Sequence, residues 1–226
     1  MRIILDQMYG RQDCIDLHLT KIKLDLEGSR ELEALENGWA IFNDVWYLSR
    51  STRINLESYT KQPKPIVGYT FNFSEERAAS LEIKEVYKKF IDYKSFTELY
   101  DLDTDIDRTS WLLVRKDQEL CAFTKFNMYD GGIESNLSAW DYSEPKKSIS
   151  KKLIDYEAQV AIAKGYKYLY FGPGCGACCK YKSLIRGFEW WDGMNWSTDK
   201  ELYNELCDRD ESVVTLEDLS KIYAAS

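Results

Sequence analysis

The order of hydrophobic and polar residues in the first part of the chain predicts short strands, a short helix and an aromatic strand. Apolar and polar residues alternate over Met1–Leu5 and His18–Leu26, as they do in half-buried strands. The charged segment Glu27–Asn37 is amphipathic and is followed by Gly38, which is typical of a short helix that ends at a glycine. Aromatic and aliphatic residues over Trp39–Ser51 then predict a turn and a strand.

A longer helix and a series of strands are predicted next. After the proline-containing loop Lys61–Gly68, the pattern over Ser74–Tyr100 is helical, and the acidic run Asp101–Asp107 predicts a solvated linker. The glycines of Asp130-Gly131-Gly132 supply the positive φ that a tight hairpin requires. An antiparallel meander is therefore predicted, with strands Ser110–Arg115, Glu119–Tyr129 and Ile133–Trp140.

A helix and another strand follow the meander in immediate succession. Ser150–Lys164 carries small and apolar residues on one face, and Gly165 is placed to cap its C-terminal end. Tyr166–Phe171 has the pattern of a buried aromatic strand. Such a crossover is right-handed and joins parallel strands. We therefore predict an α/β protein whose mixed sheet contains one parallel pair, followed by short helices over Glu201–Cys207 and Thr215–Tyr223.

Composition and charge narrow the class of protein. The chain has 226 residues, of which 44% are hydrophobic, and this is enough for a proper core. No apolar run approaches the roughly 20 residues of a membrane span, and the N-terminal apolar stretch is too short for a signal peptide. We therefore expect a cytoplasmic protein without a membrane partner. The net charge of −8 argues against binding of duplex DNA, because phosphate contacts need a broad basic surface.

Lysines surround the predicted start of the crossover helix. Free backbone N–H groups and the positive end of the helix dipole attract phosphate at such a position. The lysines that strengthen this attraction are Lys146, Lys147, Lys151 and Lys152. A solvated basic face is the alternative interpretation. Ser148-Ile149-Ser150 lacks the glycines that bring backbone close to a pyrophosphate group.

Asp141 is the first candidate for a polar catalytic residue. It lies at the predicted end of a strand beside the crossover helix, where a carboxylate can bind an ammonium group or take its proton. The alternative is an aspartate that only begins a turn. The single histidine, His18, has no evident partner for a Ser/His/Asp arrangement, so we interpret it as structural.

Three of the six cysteines are crowded after the last predicted strand, at Cys175, Cys178 and Cys179. Without a secretory signal they predict reduced thiols rather than disulfides. Half of a metal site, a reactive thiol and simple packing in a turn are the alternatives. A metal is the least favoured of them, because tetrahedral zinc needs four ligands and no second pair has a matching spacing. We therefore predict no metal.

Aromatic and basic residues alternate in the same region. Tyr170 and Tyr181 offer rings that can stack on a nucleobase, although core packing is the alternative for a strand residue such as Tyr170. The cationic residues that can contact phosphate there are Lys180, Lys182 and Arg186.

Three segments of the chain resemble a known enzyme family. Ala34–Tyr47, ALENGWAIFNDVWY, is similar to the family pattern LLxxGWRRFGxxxY. Leu137–Ser148, LSAWDYSEPKKS, is similar to a strand that ends in YDP and leads to RSLG. Ala161–Cys175, followed by Lys180-Tyr181-Lys182, is similar to GxxYxYLGYxIxxCxKMxYK. On these segments the chain resembles the arginyl- and leucyl-tRNA-protein transferases, which move an amino acid from aminoacyl-tRNA to a protein N-terminus.

The resemblance implies a GNAT-like N-acyltransferase fold over residues 108–226, with an N-terminal strand-helix portion over residues 1–107. It implies an aminoacyltransferase with two partners, the acceptor end of aminoacyl-tRNA and an amine of a protein or peptide. Asp141 would orient or deprotonate the amine, and Tyr170 or Tyr181 would lie near the leaving ribose hydroxyl. Cys175 matches a cysteine of the family pattern and would line the acyl pocket.

The chain also departs from the family pattern. The family carries a cysteine cluster for a metal or iron–sulfur group where this chain has Leu48–Leu56, so no cofactor is expected beyond aminoacyl-tRNA as co-substrate. Ala40 and Ile41 replace an arginine pair. A diverged relative with a changed donor or acceptor is implied. The alternatives are an N-acyltransferase that uses acetyl-coenzyme A and a catalytically silent binding module on the same fold.

Overall fold

The computed structural model of the protein describes residues 30–42, 45–48, 50–94, 100–143, 149–212 and 218. The α-helices are α1 (Glu31–Glu36), α2 (Leu81–Lys94), α3 (Ile149–Ala163) and α4 (Lys200–Asp210). The strands are β1 (Trp39–Phe42), β2 (Val45–Leu48), β3 (Ser51–Asn55), β4 (Tyr69–Ser74), β5 (Thr109–Lys116), β6 (Glu119–Tyr129), β7 (Gly132–Trp140), β8 (Tyr168–Pro173), β9 (Phe188–Trp191) and β10 (Trp196–Ser197). Short 3-10 helices cover Leu56–Ser58, Ile106–Arg108 and Ala177–Leu184. The predicted strands Met1–Leu5 and His18–Leu26, the lysines Lys146 and Lys147, and all of the predicted helix Thr215–Tyr223 except Asp218 lie outside the described residues.

The chain divides into two compact units. One is Asn55–Phe171, and the other combines the chain up to Ile54 with the chain from Gly172 onward. We call them the central unit and the terminal unit. The sequence-based division after residue 107 stays a prediction.

The central unit is a mixed sheet with the strand order β8-β7-β6-β5-β4. Strands β4 to β7 pair antiparallel, and β7 pairs parallel with β8 across the α3 crossover. The hairpin between β6 and β7 turns at Asp130 and Gly131, where Gly131 has a φ of 83°. The predicted meander, crossover and α/β class are confirmed.

Helix α2 covers one face of this sheet. Its buried residues Ile83, Val86, Tyr87 and Phe90 follow the spacing of a helix face and pack with Trp111, Phe123 and Ala139 of the strands. Full burial of a large apolar side chain contributes about 1.5–3 kcal/mol. The acidic run before β5 is not simply a solvated linker, because Leu102 is buried in the same cluster.

Helix α3 confirms the predicted crossover helix. It ends at Ala163, and Gly165 has a φ of 80°, as expected for a glycine cap. Its buried face is unusual because it contains the carboxylates Asp155 and Glu157 beside Leu153 and Ala158.

The terminal unit contains two groups of strands and helix α4. Strands β1 and β2 form an antiparallel hairpin, while β9 pairs antiparallel with both β3 and β10. Phe188, Trp190, Tyr203, Leu206 and Cys207 form its core between β9 and α4. The predicted helix Glu201–Cys207 is confirmed within α4, whose Asp199 accepts a capping hydrogen bond from the backbone N–H of Leu202.

Over the part of the chain that the structure describes, no helix combines the length and the apolar character needed to cross a membrane.

Candidate functional site

The parallel strands β7 and β8 remain paired over a very short length. Ile133 pairs with Leu169 and Glu134 with Tyr170, and the described register of the two strands ends there. Strand β7 nevertheless continues to Trp140, and β8 to Pro173. The two strands therefore separate after Glu134 and Tyr170. Where parallel strands separate, their backbone N–H and C=O groups no longer form hydrogen bonds with each other. This point of the central unit is therefore a candidate site.

Glu134 lies at the last pair before the separation. Its side chain is buried, and its Oε2 accepts hydrogen bonds from Tyr129 Oη at 3.0 Å and from Asn127 Nδ2 at 3.2 Å. Burial raises the pKa of Glu134 to about 7, although these two hydrogen bonds favour the charged form and act in the opposite direction. A carboxyl group with such a pKa can exchange a proton with a substrate near neutral pH.

Tyr129 is itself held in place. Its ring lies under the guanidinium of Arg108, with 5.5 Å between Arg108 Cζ and the ring centroid. Burial raises the pKa of Tyr129 well above its ordinary value, and the charge of Glu134 acts in the same direction. Tyr129 therefore keeps its proton and remains a hydrogen-bond donor to Glu134.

A second buried carboxylate, Glu157 of α3, lies on the other face of the sheet. Ser135 follows Glu134 along β7, so their side chains point to opposite faces, and the Ser135 hydroxyl is one of the groups that lower the pKa of Glu157 against the effect of burial. Glu157 Oε1 also accepts from Thr124 Oγ1 at 2.5 Å and from Ser138 Oγ at 3.1 Å. Burial raises the pKa of Glu157, and these hydroxyl groups oppose the change.

Tyr170 is the predicted site residue that the structure brings next to Glu134. It is the direct pairing partner of Glu134 across β7 and β8, and its ring is buried. Side chains at paired positions of a sheet project to the same face. The predicted position of Tyr170 near a leaving group stays a prediction.

Asp141 follows the end of β7, as predicted, and is engaged with its neighbours. Its Oδ2 accepts from Lys89 Nζ at 2.9 Å, and its Oδ1 accepts from the backbone N–H of Ser143 at 2.8 Å. The hydrogen bond from Lys89 lowers the pKa of Asp141. Asp141 is therefore ionised at neutral pH and is a weaker base than Glu134, while it keeps a negative charge that can attract an ammonium group.

Of the four lysines predicted to hold phosphate, two lie in the described part of the crossover. Lys151 and Lys152 belong to the first turn of α3, Lys151 exposed and Lys152 partly buried. Cations at the N-terminal end of a helix add to the attraction of the helix dipole for anions.

The remaining predicted residues belong to the terminal unit. Lys182 is buried and donates to the Pro173 carbonyl oxygen at 2.7 Å, while Lys180 Nζ lies 2.7 Å from Asp208 Oδ2. Cys175 is buried, and burial raises its pKa, so its thiol stays protonated at neutral pH. Tyr181 and Arg186 are exposed. Their predicted roles in phosphate, base and acyl binding stay predictions.

Among the described residues, no group of three or more His, Cys, Asp or Glu side chains is arranged to hold a metal ion.

Glu134 and Glu157 are the site residues that sequence analysis missed. Glu157 had a signal in the sequence, since it is a charged residue on the side of the helix that the pattern assigns to the core. Glu134 had none, because strand alternation places it on the same side as Asn136 and Ser138. A carboxylate is rarely buried without a specific role or partner.

The sequence matches no protein-family model and no curated protein. Among solved structures, it resembles L-PGS from Bacillus licheniformis at 18% identity and a TM-score of 0.45, over 66% of this chain and 52% of that chain. It also resembles the C-terminal domain (DUF2156) of a putative lysylphosphatidylglycerol synthetase from Agrobacterium fabrum, at 14% identity and a TM-score of 0.45, over 69% of this chain and 55% of that one. A GCN5-related N-acetyltransferase from Kribbella flavida is similar at 17% identity and a TM-score of 0.40, over 56% of this chain and 48% of that chain. The chain thus spans about half the length of these structures.

Proposed function

We propose that the protein transfers an aminoacyl group from aminoacyl-tRNA to an amine of a protein or peptide. The observation that carries the proposal is the buried carboxyl group of Glu134, with a pKa of about 7, at the point where β7 and β8 separate. The sequence resemblance to tRNA-dependent aminoacyltransferases adds to this support. An aminoacyl ester is already activated, so the enzyme has chiefly to align and deprotonate the attacking amine.

Glu134 takes the proton in this mechanism. The neutral amine attacks the ester carbonyl carbon, a C–N bond forms, and the nitrogen, now positively charged, gives its extra proton to the Glu134 carboxylate. The C–O bond to the ribose then breaks, the leaving oxygen takes the proton of the Tyr170 hydroxyl, and the proton held by Glu134 restores the Tyr170 hydroxyl. A base with a pKa near the working pH is the most effective for such a transfer.

Asp141 and the lysines have binding roles in the same proposal. Asp141 attracts the positively charged acceptor before it is deprotonated, because its own low pKa keeps it ionised. Lys151 and Lys152, with Lys146 and Lys147 before them in the chain, hold phosphates of the tRNA acceptor end.

Transfer to a peptide tests the proposal directly. The protein is incubated with a tRNA pool charged with radiolabelled amino acids and with a peptide that has a free N-terminus. Label is expected in the peptide and is expected to resist mild alkali, which cleaves the tRNA ester but not an amide. An unlabelled peptide, together with release of coenzyme A from acetyl-coenzyme A, would replace the proposal by a coenzyme A-dependent transferase. Binding of neither donor would indicate a silent module.

Two substitutions separate the proposed roles. Glu134→Gln keeps the shape of the side chain and is expected to lower the transfer rate about 100-fold or more. Asp141→Asn is expected to raise the KM for the acceptor more than it lowers kcat, because it removes attraction rather than a base. The control is Glu119→Gln, which changes an exposed carboxylate at the start of β6. Unchanged transfer by Glu134→Gln would remove Glu134 from the mechanism.

A further inference from the structure

Cys178 and Cys179 are neighbouring thiols of the terminal unit that the proposed transfer reaction does not use. They lie in the 3-10 helix Ala177–Leu184, and their Sγ atoms are 3.9 Å apart. Cys178 is exposed and Cys179 is partly buried, so a small molecule can reach the pair from solvent. A disulfide has an S–S length of about 2.0 Å, so an approach of about 2 Å would join the two sulfur atoms.

The surroundings of Cys179 favour a thiolate. Lys182 is buried, and its Nζ donates to the Pro173 carbonyl oxygen at 2.7 Å, while the Cys179 Sγ lies 3.9 Å from the same oxygen. The hydrogen bond from the Cys178 thiol and the charge of Lys182 lower the pKa of Cys179 against the effect of burial. The Asp210 carboxylate has a smaller, opposite effect. The thiolate is the form of cysteine that reacts with oxidants.

The other described thiols are less suited to oxidation. Cys175 and Cys207 are 1% and 0% exposed, and burial raises the pKa of both. Cys121 of β6 donates its thiol hydrogen to the Val114 carbonyl oxygen at 3.3 Å, which favours the protonated form. Within the described residues, access from solvent, a neighbouring thiol and a nearby ammonium group therefore coincide at Cys179.

We propose that Cys178 and Cys179 are a site of reversible oxidation by a hydroperoxide, at which Cys179 is oxidised first and Cys178 then closes a disulfide. The Cys179 thiolate attacks one oxygen of hydrogen peroxide, the O–O bond breaks, and a sulfenic acid and hydroxide form. The hydroxide takes up the proton that the Cys179 thiol released when it ionised. The Cys178 thiol then loses its proton, its sulfur attacks the Cys179 sulfur, the S–O bond breaks, and hydroxide leaves with that proton as water. In sum, the two thiols lose two electrons and two protons, and hydrogen peroxide is reduced to two molecules of water.

The adjacency of the two cysteines makes this disulfide easy to reduce. The Cα atoms of neighbouring residues are about 3.8 Å apart, whereas those of most disulfides are about 4.4–6.8 Å apart. The bond is therefore strained, and a strained or exposed disulfide is readily broken by another thiol. This geometry suits a transient modification rather than a permanent cross-link. The inference is independent of the proposed aminoacyl transfer.

Peptide mapping of the oxidised full chain tests the inference. The protein is treated with an equimolar amount of hydrogen peroxide at pH 7, denatured, alkylated with iodoacetamide and digested with trypsin. Cleavage after Lys167 and Lys180 gives one peptide that contains Cys175, Cys178 and Cys179. This peptide is expected to carry an alkyl group on Cys175 alone and to have lost about 2 Da, and reduction by glutathione before alkylation should restore alkylation of all three thiols. Full alkylation after peroxide treatment, or a disulfide to any other cysteine, would overturn the inference.

The rate of oxidation provides a second measurement on the unchanged protein. Only a few per cent of an ordinary thiol is ionised at pH 7, so Cys179 is expected to be oxidised at least roughly tenfold faster than Cys121. Equal rates at the two thiols would also overturn the inference. Neither measurement depends on the folding of a variant.

Substitutions assign the order of the two steps. Cys178→Ala is expected to oxidise more slowly, because Cys179 loses a hydrogen bond, and to hold a sulfenic acid that dimedone labels at Cys179. Cys179→Ala is expected to form no disulfide and to give at least roughly tenfold less dimedone labelling at Cys178. The control Cys121→Ala changes a thiol of the central unit and should form the same disulfide as the unchanged protein. Equal labelling of Cys178 and Cys179 in the two variants would contradict the assigned order.

Discussion

The Tyr129 hydroxyl donates a 3.0 Å hydrogen bond to Glu134 Oε2, and both side chains are buried. Tyr129 closes β6, and Glu134 lies near the start of β7, so the hairpin between these strands brings them together. The bond stabilises the charged form of Glu134 and thereby opposes the effect of burial on its pKa. Tyr129 thus acts on the proposed reaction through Glu134 and is a positioning residue.

The pH dependence of transfer should show the effect of the Tyr129 hydrogen bond on Glu134. The proposed base must be ionised, so the rate is expected to rise with pH through a midpoint near 7. Tyr129→Phe removes a bond that favours the ionised form, and its midpoint should therefore move to higher pH. Glu134→Gln should abolish the rise. A midpoint that is the same in the unchanged protein and in Tyr129→Phe would contradict the assignment.

The buried carboxyl group of Glu134 should make the free energy of unfolding depend on pH. The pKa of Glu134 is about 7 in the folded protein and 4.5 for an ordinary glutamate, so the folded state holds the proton more tightly. Its contribution to the free energy of unfolding is therefore complete below pH 4.5 and is lost as the pH rises through about 7. Urea titrations between pH 5 and pH 8 should show a smaller fall in stability for Glu134→Gln than for the unchanged protein. A steeper fall in the variant would contradict the direction of the pKa change.

The fold was predictable where hydrophobic periodicity was regular. The three-strand meander, the α3 crossover and its Gly165 cap follow from local pattern and turn chemistry, and the structure confirms them. Strand β4 was missed, although Phe71 and Phe73 alternate with polar residues, because the segment is short and follows a loop with two prolines. The pairing of β3 with β9 joins segments more than 130 residues apart, and no local pattern encodes such a pairing.

The candidate site was less predictable than the fold. Asp141 was identified from its position after a strand, but its ion pair with Lys89 depends on the packing of α2 and was not visible in the sequence. The importance of Glu134 depends on its burial and on where β7 and β8 separate, which are properties of the tertiary structure. Sequence pattern therefore indicated the strand end near Asp141 as a candidate, while the pKa changes of Asp141 and Glu134 depend on the fold.

The buried ion pair of Arg50 and Asp210 should dominate the stability of the terminal unit. Arg50 Nη1 and Nη2 contact the two Asp210 carboxylate oxygens at 2.8 and 3.1 Å, and the side chains are 1% and 6% exposed. Asp210→Ala leaves a buried positive charge and should lower the free energy of unfolding by about 3–5 kcal/mol. The control is Asp208→Ala on the same helix, which breaks the exposed pair with Lys180 and should cost less than about 1 kcal/mol. Urea unfolding of both variants measures the difference, and equal losses would contradict it.

The neighbouring thiols of Cys178 and Cys179 should react at different pH. Their Sγ atoms are 3.9 Å apart. The hydrogen bond from Cys178 and the charge of Lys182 lower the pKa of Cys179 against the effect of burial, whereas the pKa of Cys178 is raised. Alkylation by iodoacetamide, mapped by mass spectrometry, should therefore begin at lower pH for Cys179 than for Cys178.

A substitution tests the cause of this difference. Cys178→Ala removes the thiol donor and should move the alkylation of Cys179 to higher pH. Lys180→Met, which removes an ammonium group bound to Asp208, should leave the pH of Cys179 alkylation unchanged. Identical pH profiles for Cys179 with and without Cys178 would rule out the thiol hydrogen bond as the cause.

Two glycines with the same backbone conformation should differ in their tolerance of alanine. Gly38 and Gly165 follow α1 and α3 with φ values of 81° and 80°, a region that side chains rarely adopt. A Cβ on Gly165 would meet no atom within 4 Å, whereas a Cβ on Gly38 would overlap the indole ring of Trp191. Gly165→Ala should therefore lower the free energy of unfolding by about 1–2 kcal/mol, from backbone strain alone. Gly38→Ala should add about 1–3 kcal/mol of overpacking to that strain and change the fluorescence of Trp191. Urea unfolding followed by tryptophan fluorescence measures both variants, and equal losses of stability would mean that Trp191 moves aside without cost.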